Sequence, residues 1–82
     1  MTTTVEPVMD VRLNDVDRAI LREIEENGRA TVGLLTDVVG KSRSYTSRRT
    51  TRLREHELLD EVAPKLYDLT TEGRARLREA PA

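Results

Sequence analysis

The side chains of this 82-residue chain that could do chemistry are mainly guanidinium and hydroxyl groups, and they crowd into one stretch. Residues 41–54, Lys-Ser-Arg-Ser-Tyr-Thr-Ser-Arg-Arg-Thr-Thr-Arg-Leu-Arg, hold six basic residues (Lys41, Arg43, Arg48, Arg49, Arg52, Arg54) and no acid. The other eight basic residues stand against all 15 acids, so the remainder of a chain of net charge −1 is distinctly acidic. Guanidinium and hydroxyl groups donate to phosphate and to base edges. A positive segment on an acidic background therefore points to a polyanion partner, most often nucleic acid. The plainer reading, a merely solvated face, is weaker here because the acids avoid this stretch and crowd elsewhere.

Other chemistries are poorly served. His56 is the single histidine and there is no cysteine, so neither a disulfide nor a zinc site of the usual ligand types is expected, and no cofactor. Gly40-Lys41-Ser42 echoes the end of a phosphate-binding loop, but Leu35 stands where that motif needs glycine. His56-Glu57-Leu58-Leu59-Asp60 echoes a zinc-protease motif with Asp60 in place of its second histidine. No Ser/His/Asp set is credible around one histidine at a helix end, so no enzyme is expected. So small a core offers no evident pocket for a small-molecule ligand. Tyr45 and Tyr67 are the only aromatic residues, too few for a base-stacking surface on single strands. No run suits a membrane span or a signal core, which makes the expected compartment the cytoplasm. Arginine outnumbers lysine twelve to two. With the high acid content, this suggests a salt-loving host, though codon bias would give the same balance.

The elements that must carry the basic run can be traced along the chain. Residues 1–12 lack helical period and contain Pro7, and are expected to be a flexible arm before a domain over 13–80. Asn14 is a good cap for a first helix, with Asp15 and Asp17 at its positive end. Val16, Ile20 and Ile24 repeat every fourth residue, flanked by Leu13 and Leu21, and Asn27-Gly28 ends the run. Arg29-Ala30 is a connector with room for one or two strand residues. Thr31 caps a second helix whose inward residues are Leu35, Val38 and Val39, and Gly40 stops it. Ser42 caps a third helix over about 43–56. On it Thr46, Thr50 and Leu53 share one side and Ser44, Ser47, Arg48, Thr51 and Arg52 the other. Leu58 to Ala63 and Leu66 to Leu69 read as paired strands around Pro64, with Tyr67 and Leu69 on one face and Tyr67 in the core. Thr70 or Thr71 opens a last helix to about Glu79, with Leu77 inward.

The fold class expected is mainly α with a small β-hairpin, in the order α-α-α-β-β-α. Three stretches resemble the winged helix-turn-helix regulators of prokaryotes. Asp17-Arg18-Ala19-Ile20-Leu21 looks like an opening D-x-x-I-L. Thr31, Leu35, Val39, Gly40 and Ser42 fall at helix-turn-helix spacing. Tyr67-Asp68-Leu69-Thr70-Thr71-Glu72-Gly73 looks like Y-x-L-T-x-x-G. The MarR and PadR groups are similar, and the likeness is greatest to the short phage-repressor-like winged helices of halophilic archaea. It covers about residues 13–79. The chain departs from the family pattern at Thr36, where alanine is usual, and at Glu57, where glycine is usual. Thr46 and Thr50 stand where apolar β-branched residues are common.

The resemblance implies a double-stranded DNA partner and a regulatory, repressing role, with the third helix in the major groove. Ser44, Ser47 and Arg48 would lie nearest the bases, with Thr51 next, while Lys41, Arg43, Tyr45 and Arg52 would hold phosphates. Tyr45 is equally suited to packing. Arg49 lies toward the packed side and Arg54 on a flank, so each is left either to DNA or to pairing with Glu23 or Glu57. Lys65 is the single base on a wing made acidic by Asp60 and Glu61. One reading helix sees few base pairs, which favours a homodimer on two half-sites, joined through the arm or the last helix; a monomer stays open. Two rivals remain. One is a winged helix serving protein–protein contact, suited to the acidic hairpin. The other is an RNA binder, disfavoured by the lack of stacking aromatics.

Overall fold

A computed structural model of the chain describes residues 12–79, so the arm expected over 1–12 lies, but for Arg12, outside the described residues. The elements run α1 (Asp15–Asn27), β1 (Ala30–Thr31), α2 (Val32–Val39), α3 (Arg43–Glu55), β2 (Leu59–Ala63), β3 (Leu66–Leu69) and α4 (Thr71–Arg78). This is a winged helix: three helices, a hairpin and a closing helix. The connector after α1 forms a short strand that pairs antiparallel with β3, giving a three-stranded sheet in the order β1-β3-β2. Two strands would have left β3 with an open edge. Ala30 opposite Tyr67 and Thr31 opposite Leu66 cover it.

Each helix starts where a side-chain oxygen can take up an orphan amide. Asn14, Thr31, Ser42 and Thr70 accept from the backbone N–H groups of Asp17, Leu34, Tyr45 and Gly73, at 2.8, 3.2, 3.1 and 2.9 Å. At α1 the arrangement is reciprocal, because the Asp17 carboxylate accepts the Asn14 N–H at 3.0 Å.

Ile20, Leu21 and Ile24 of α1, Leu35 of α2, Leu53 of α3 and Leu58 and Leu59 at the start of the hairpin form the core, joined by Tyr67 and Leu69 from β3. Leu77 packs against it from α4. Val38 does not face inward as expected. It is 45% exposed, because the stripe on α2 runs through Val32, Leu35 and Val39 and leaves Val38 about a quarter turn away. Gly73 explains the glycine of the Y-x-L-T-x-x-G stretch. A Cβ there would stand 2.2 Å from the Leu58 carbonyl oxygen, so α4 can lie against the chain entering the hairpin only with no side chain at that point.

Candidate nucleic-acid interface

The placement of α3 begins at the turn before it. Gly40, in the left-handed region at φ +70°, ends α2 with its N–H bonded to the Thr36 carbonyl at 3.0 Å. Two residues later Ser42 caps α3, so the chain turns sharply and α3 crosses the end of α2. Thr46, Thr50 and Leu53 are fully buried, as their spacing predicts. Thr46 satisfies its hydroxyl on the Ser42 carbonyl at 2.9 Å. Among the described residues Thr50 Oγ1 has no hydrogen-bond partner.

A second anchor was not foreseen. Arg49 pairs with neither Glu23 nor Glu57. Its Nε donates to Asp17 Oδ1 at 2.8 Å and its Nη2 donates to Oδ2, a bidentate grip on a carboxylate with no solvent exposure. The Asp17 carboxylate thus serves both the cap of α1 and the side of α3. Its hydrogen bond raises the Arg49 pKa, against the opposing effect of burial. A signal for this pair existed. Asp17 falls on the stripe of Ile20, Leu21 and Ile24, and Arg49 beside that of Thr46, Thr50 and Leu53. An acid and a base each placed on a packed stripe need one another. Arg54 also misses both expected carboxylates and lies 4.0 Å from Glu61 on the wing.

The other expected site residues separate into groups. Ser44, Arg48 and Arg52 are exposed along the outer side of α3, while Ser47 and Thr51 are half-buried beside them. Lys41 and Arg43 are exposed at its start. Lys41, Arg43 and Arg52 make no salt bridge among the described residues, and Lys41 lines one shallow pocket with Asp15 and Tyr45. Arg48 is held without being neutralised: its Nη1 donates to Ser44 Oγ at 3.1 Å, and its guanidinium lies 5.8 Å from the centre of the Tyr45 ring. Tyr45 is half-buried, and its hydroxyl accepts from Asn14 Nδ2 at 3.1 Å. Ser47, Arg48, Thr51 and Arg52 line one shallow groove with Tyr45, Arg49 and Glu55. Glu55 places a carboxylate at the C-terminal end of this groove.

The wing is built differently. Leu59, Asp60 and Glu61 of β2 pair with Leu69, Asp68 and Tyr67, and the register shifts between Glu61 and Ala63. Lys65 turns the chain with φ +60°, after Pro64. Its N–H donates to the Glu61 carboxylate at 2.8 Å, so the wing tip closes on its own acid. Lys65 is exposed, and its backbone is tied to Glu61, the acid that also lies 4.0 Å from Arg54 at the end of α3. Burial raises the Tyr67 phenol pKa, with Glu61 adding to the shift and Arg54 opposing it.

Among the described residues no group of His, Asp or Glu side chains could hold a metal ion, and no helix is long and apolar enough to cross a membrane. No curated protein and no solved structure matches the chain. A family described as winged helix-turn-helix DNA-binding matches residues 13–59, more than half of the chain, from the residue before the α1 cap through the first residue of β2. That span holds the helix-turn-helix and every basic residue of the 41–54 run, and the fold around it is a winged helix: the chain belongs to the winged helix-turn-helix DNA-binding family.

Proposed function

We propose that the chain is a sequence-specific, double-stranded DNA-binding regulator of transcription, acting as a repressor, with α3 in the major groove. One observation carries this reading. The outer side of α3 presents Arg48 and Arg52, with Lys41 and Arg43 at its start, as cations without carboxylate partners among the described residues, while Arg49 is drawn into the α1 contact. The Arg48 guanidinium keeps donors beyond the one given to Ser44, enough for a bidentate contact with guanine. Ser44, Ser47 and Thr51 supply hydroxyls on the same side. Lys41, Arg43 and Arg52 suit phosphates, which position a protein without reading sequence. The Tyr45 hydroxyl can donate to a phosphate while accepting from Asn14.

Lys65 offers one cation at a wing tip where Glu61 and Asp60 repel phosphate, so α3 supplies most of the contact. The finer kinship with phage-repressor-like winged helices of halophilic archaea rests on the three stretches that carry the likeness, and on the arginine-rich, acidic composition. A dimer on two half-sites fits the few base pairs one α3 can reach.

The test is selection of bound sequences from a random duplex pool, followed by titration of the selected site over a range of salt. Affinity should fall linearly in log–log form as salt rises. Arg48→Ala should cost about 1–3 kcal/mol on the selected site. Absence of duplex binding even at low salt sinks the reading. The acidic hairpin supports one rival, a protein-contact module, and that outcome would favour it.

A further inference from the structure

The cap of α1 does more than start a helix. Asn14 uses both ends of its amide. Its Oδ1 accepts the Asp17 N–H at 2.8 Å, which is ordinary capping. Its Nδ2 donates across to the Tyr45 hydroxyl on α3, 31 residues further along. Asp17, the other half of the same capping box, grips Arg49 of α3 with both carboxylate oxygens. Tyr45 and Arg49 are four residues apart, one turn on the same side of α3. The start of α1 thus meets α3 at two successive points, an exposed hydrogen bond to Tyr45 and the part-buried grip on Arg49. Arg48 lies one residue before Arg49, a quarter turn or so outward, with its guanidinium against the Tyr45 ring and bonded to Ser44.

We infer that Asn14, which lies outside the basic helix, is a positioning residue for base reading. By fixing the Tyr45 ring through its hydroxyl, it holds the Arg48 guanidinium in the conformation that meets a base edge. The inference rests on the DNA reading of α3. A long arginine side chain loses rotamer freedom when it binds, and a side chain ordered beforehand loses less. A cation over an aromatic face is attracted to it, and the attraction grows as water is excluded. Tyr45 can serve this purpose only if its ring is itself fixed. It is half-buried and tied at the hydroxyl to a residue that its own helix does not contain. The chain of contacts, Asp17 to Asn14 to Tyr45 to Arg48, runs without a gap from a fully buried carboxylate to an exposed guanidinium.

Asn14→Ser isolates the effect, because serine caps a helix about as well as asparagine but cannot reach Tyr45 with an amide donor. The measurements are affinity for the selected duplex and for duplexes changed at the guanine that Arg48 reads, thermal midpoint, and nuclear relaxation of the Arg48 Nε–H in the free protein. Asn14→Ser should lower discrimination at that one base pair by about 2- to 12-fold, the cost of ordering one long side chain on binding. The thermal midpoint and affinity for unrelated duplex should stay the same, and fast motion at Arg48 Nε should increase. Tyr45→Phe keeps the ring and loses the tie. Combined with Asn14→Ser it should lower discrimination no further than either change alone. In an Arg48→Ala background, Asn14→Ser should leave discrimination unchanged. For Asn14→Ser, an effect of equal size on all duplexes, an effect that survives Arg48→Ala, or unaltered Arg48 motion overturns the positioning role. A wild-type chain that discriminates no duplex overturns the DNA reading itself and is recognised before any variant is compared.

Discussion

Helix α3 and the wing both carry charge, and they dispose of it in opposite ways. On α3 one acid–base contact is part-buried: Arg49, with 21% of its side chain exposed, meets Asp17, whose carboxylate has no solvent exposure, while Arg48 and Arg52 stand on the outer side without a carboxylate partner among the described residues. On the wing the charges are exposed: Glu61 accepts from the Lys65 backbone N–H and lies 4.0 Å from Arg54 at the end of α3. A buried bidentate pair costs heavily if broken and so fixes a geometry. An exposed pair is screened by water and fixes little. The difference separates a helix anchored through a buried carboxylate from a hairpin whose charges meet at the surface. It also explains how a chain with net negative charge can offer a positive surface.

The comparison can be broken most directly at Arg49. Arg49→Met leaves the Asp17 carboxylate buried without its cation and should destabilise the fold by about 3–5 kcal/mol in denaturant unfolding. A loss within the range of exposed pairs would mean that α3 is held no more firmly than the wing. Thr50→Val sharpens the contrast from the other side. It removes a buried hydroxyl that has no partner among the described residues, and should stabilise the fold by about 1 kcal/mol, read as a higher denaturation midpoint with an unchanged m-value. Glu57→Gly, at the passage from α3 to the wing, should stabilise by about 0.5–1 kcal/mol, since Glu57 sits at φ +65° where a Cβ is unfavourable. The smallest effect belongs to the contact between the end of α3 and the wing. Arg54→Ala breaks only a 4.0 Å contact between half-exposed side chains and should shift stability by less than about 0.5 kcal/mol.

The four residues that depart from the family pattern have different physical outcomes. Thr36 turns its hydroxyl onto the Val32 carbonyl at 2.8 Å, so the helix itself absorbs the extra polar atom. Thr46 does the same with Ser42, but Thr50 does not. Glu57 takes up the left-handed conformation that glycine would adopt freely, while its carbonyl accepts the Thr70 hydroxyl at 2.7 Å. The backbone geometry is therefore kept, and the residue type bears the strain.

What the sequence determined by itself was local. Periodicity, caps and turn residues are set by neighbours a few positions apart, so α1 to α4 and both hairpin strands were legible, along with the caps at Asn14, Thr31 and Ser42 and the outward side of α3. Stripes of four were harder to resolve on the eight-residue α2, where Val38 was misplaced. Only the tertiary structure decided which charges meet. Arg48 and Arg49 are the same residue type at adjacent positions; helical spacing sets Arg48 outward and Arg49 toward the packed side, but it does not name the partner of either. A turn of α1 more than 30 residues earlier does: it places Asp17 against one guanidinium and, through Asn14 and Tyr45, an aromatic ring against the other. Charge pairing depends on distance in space and on burial, and both come from the packing of α1 against α3.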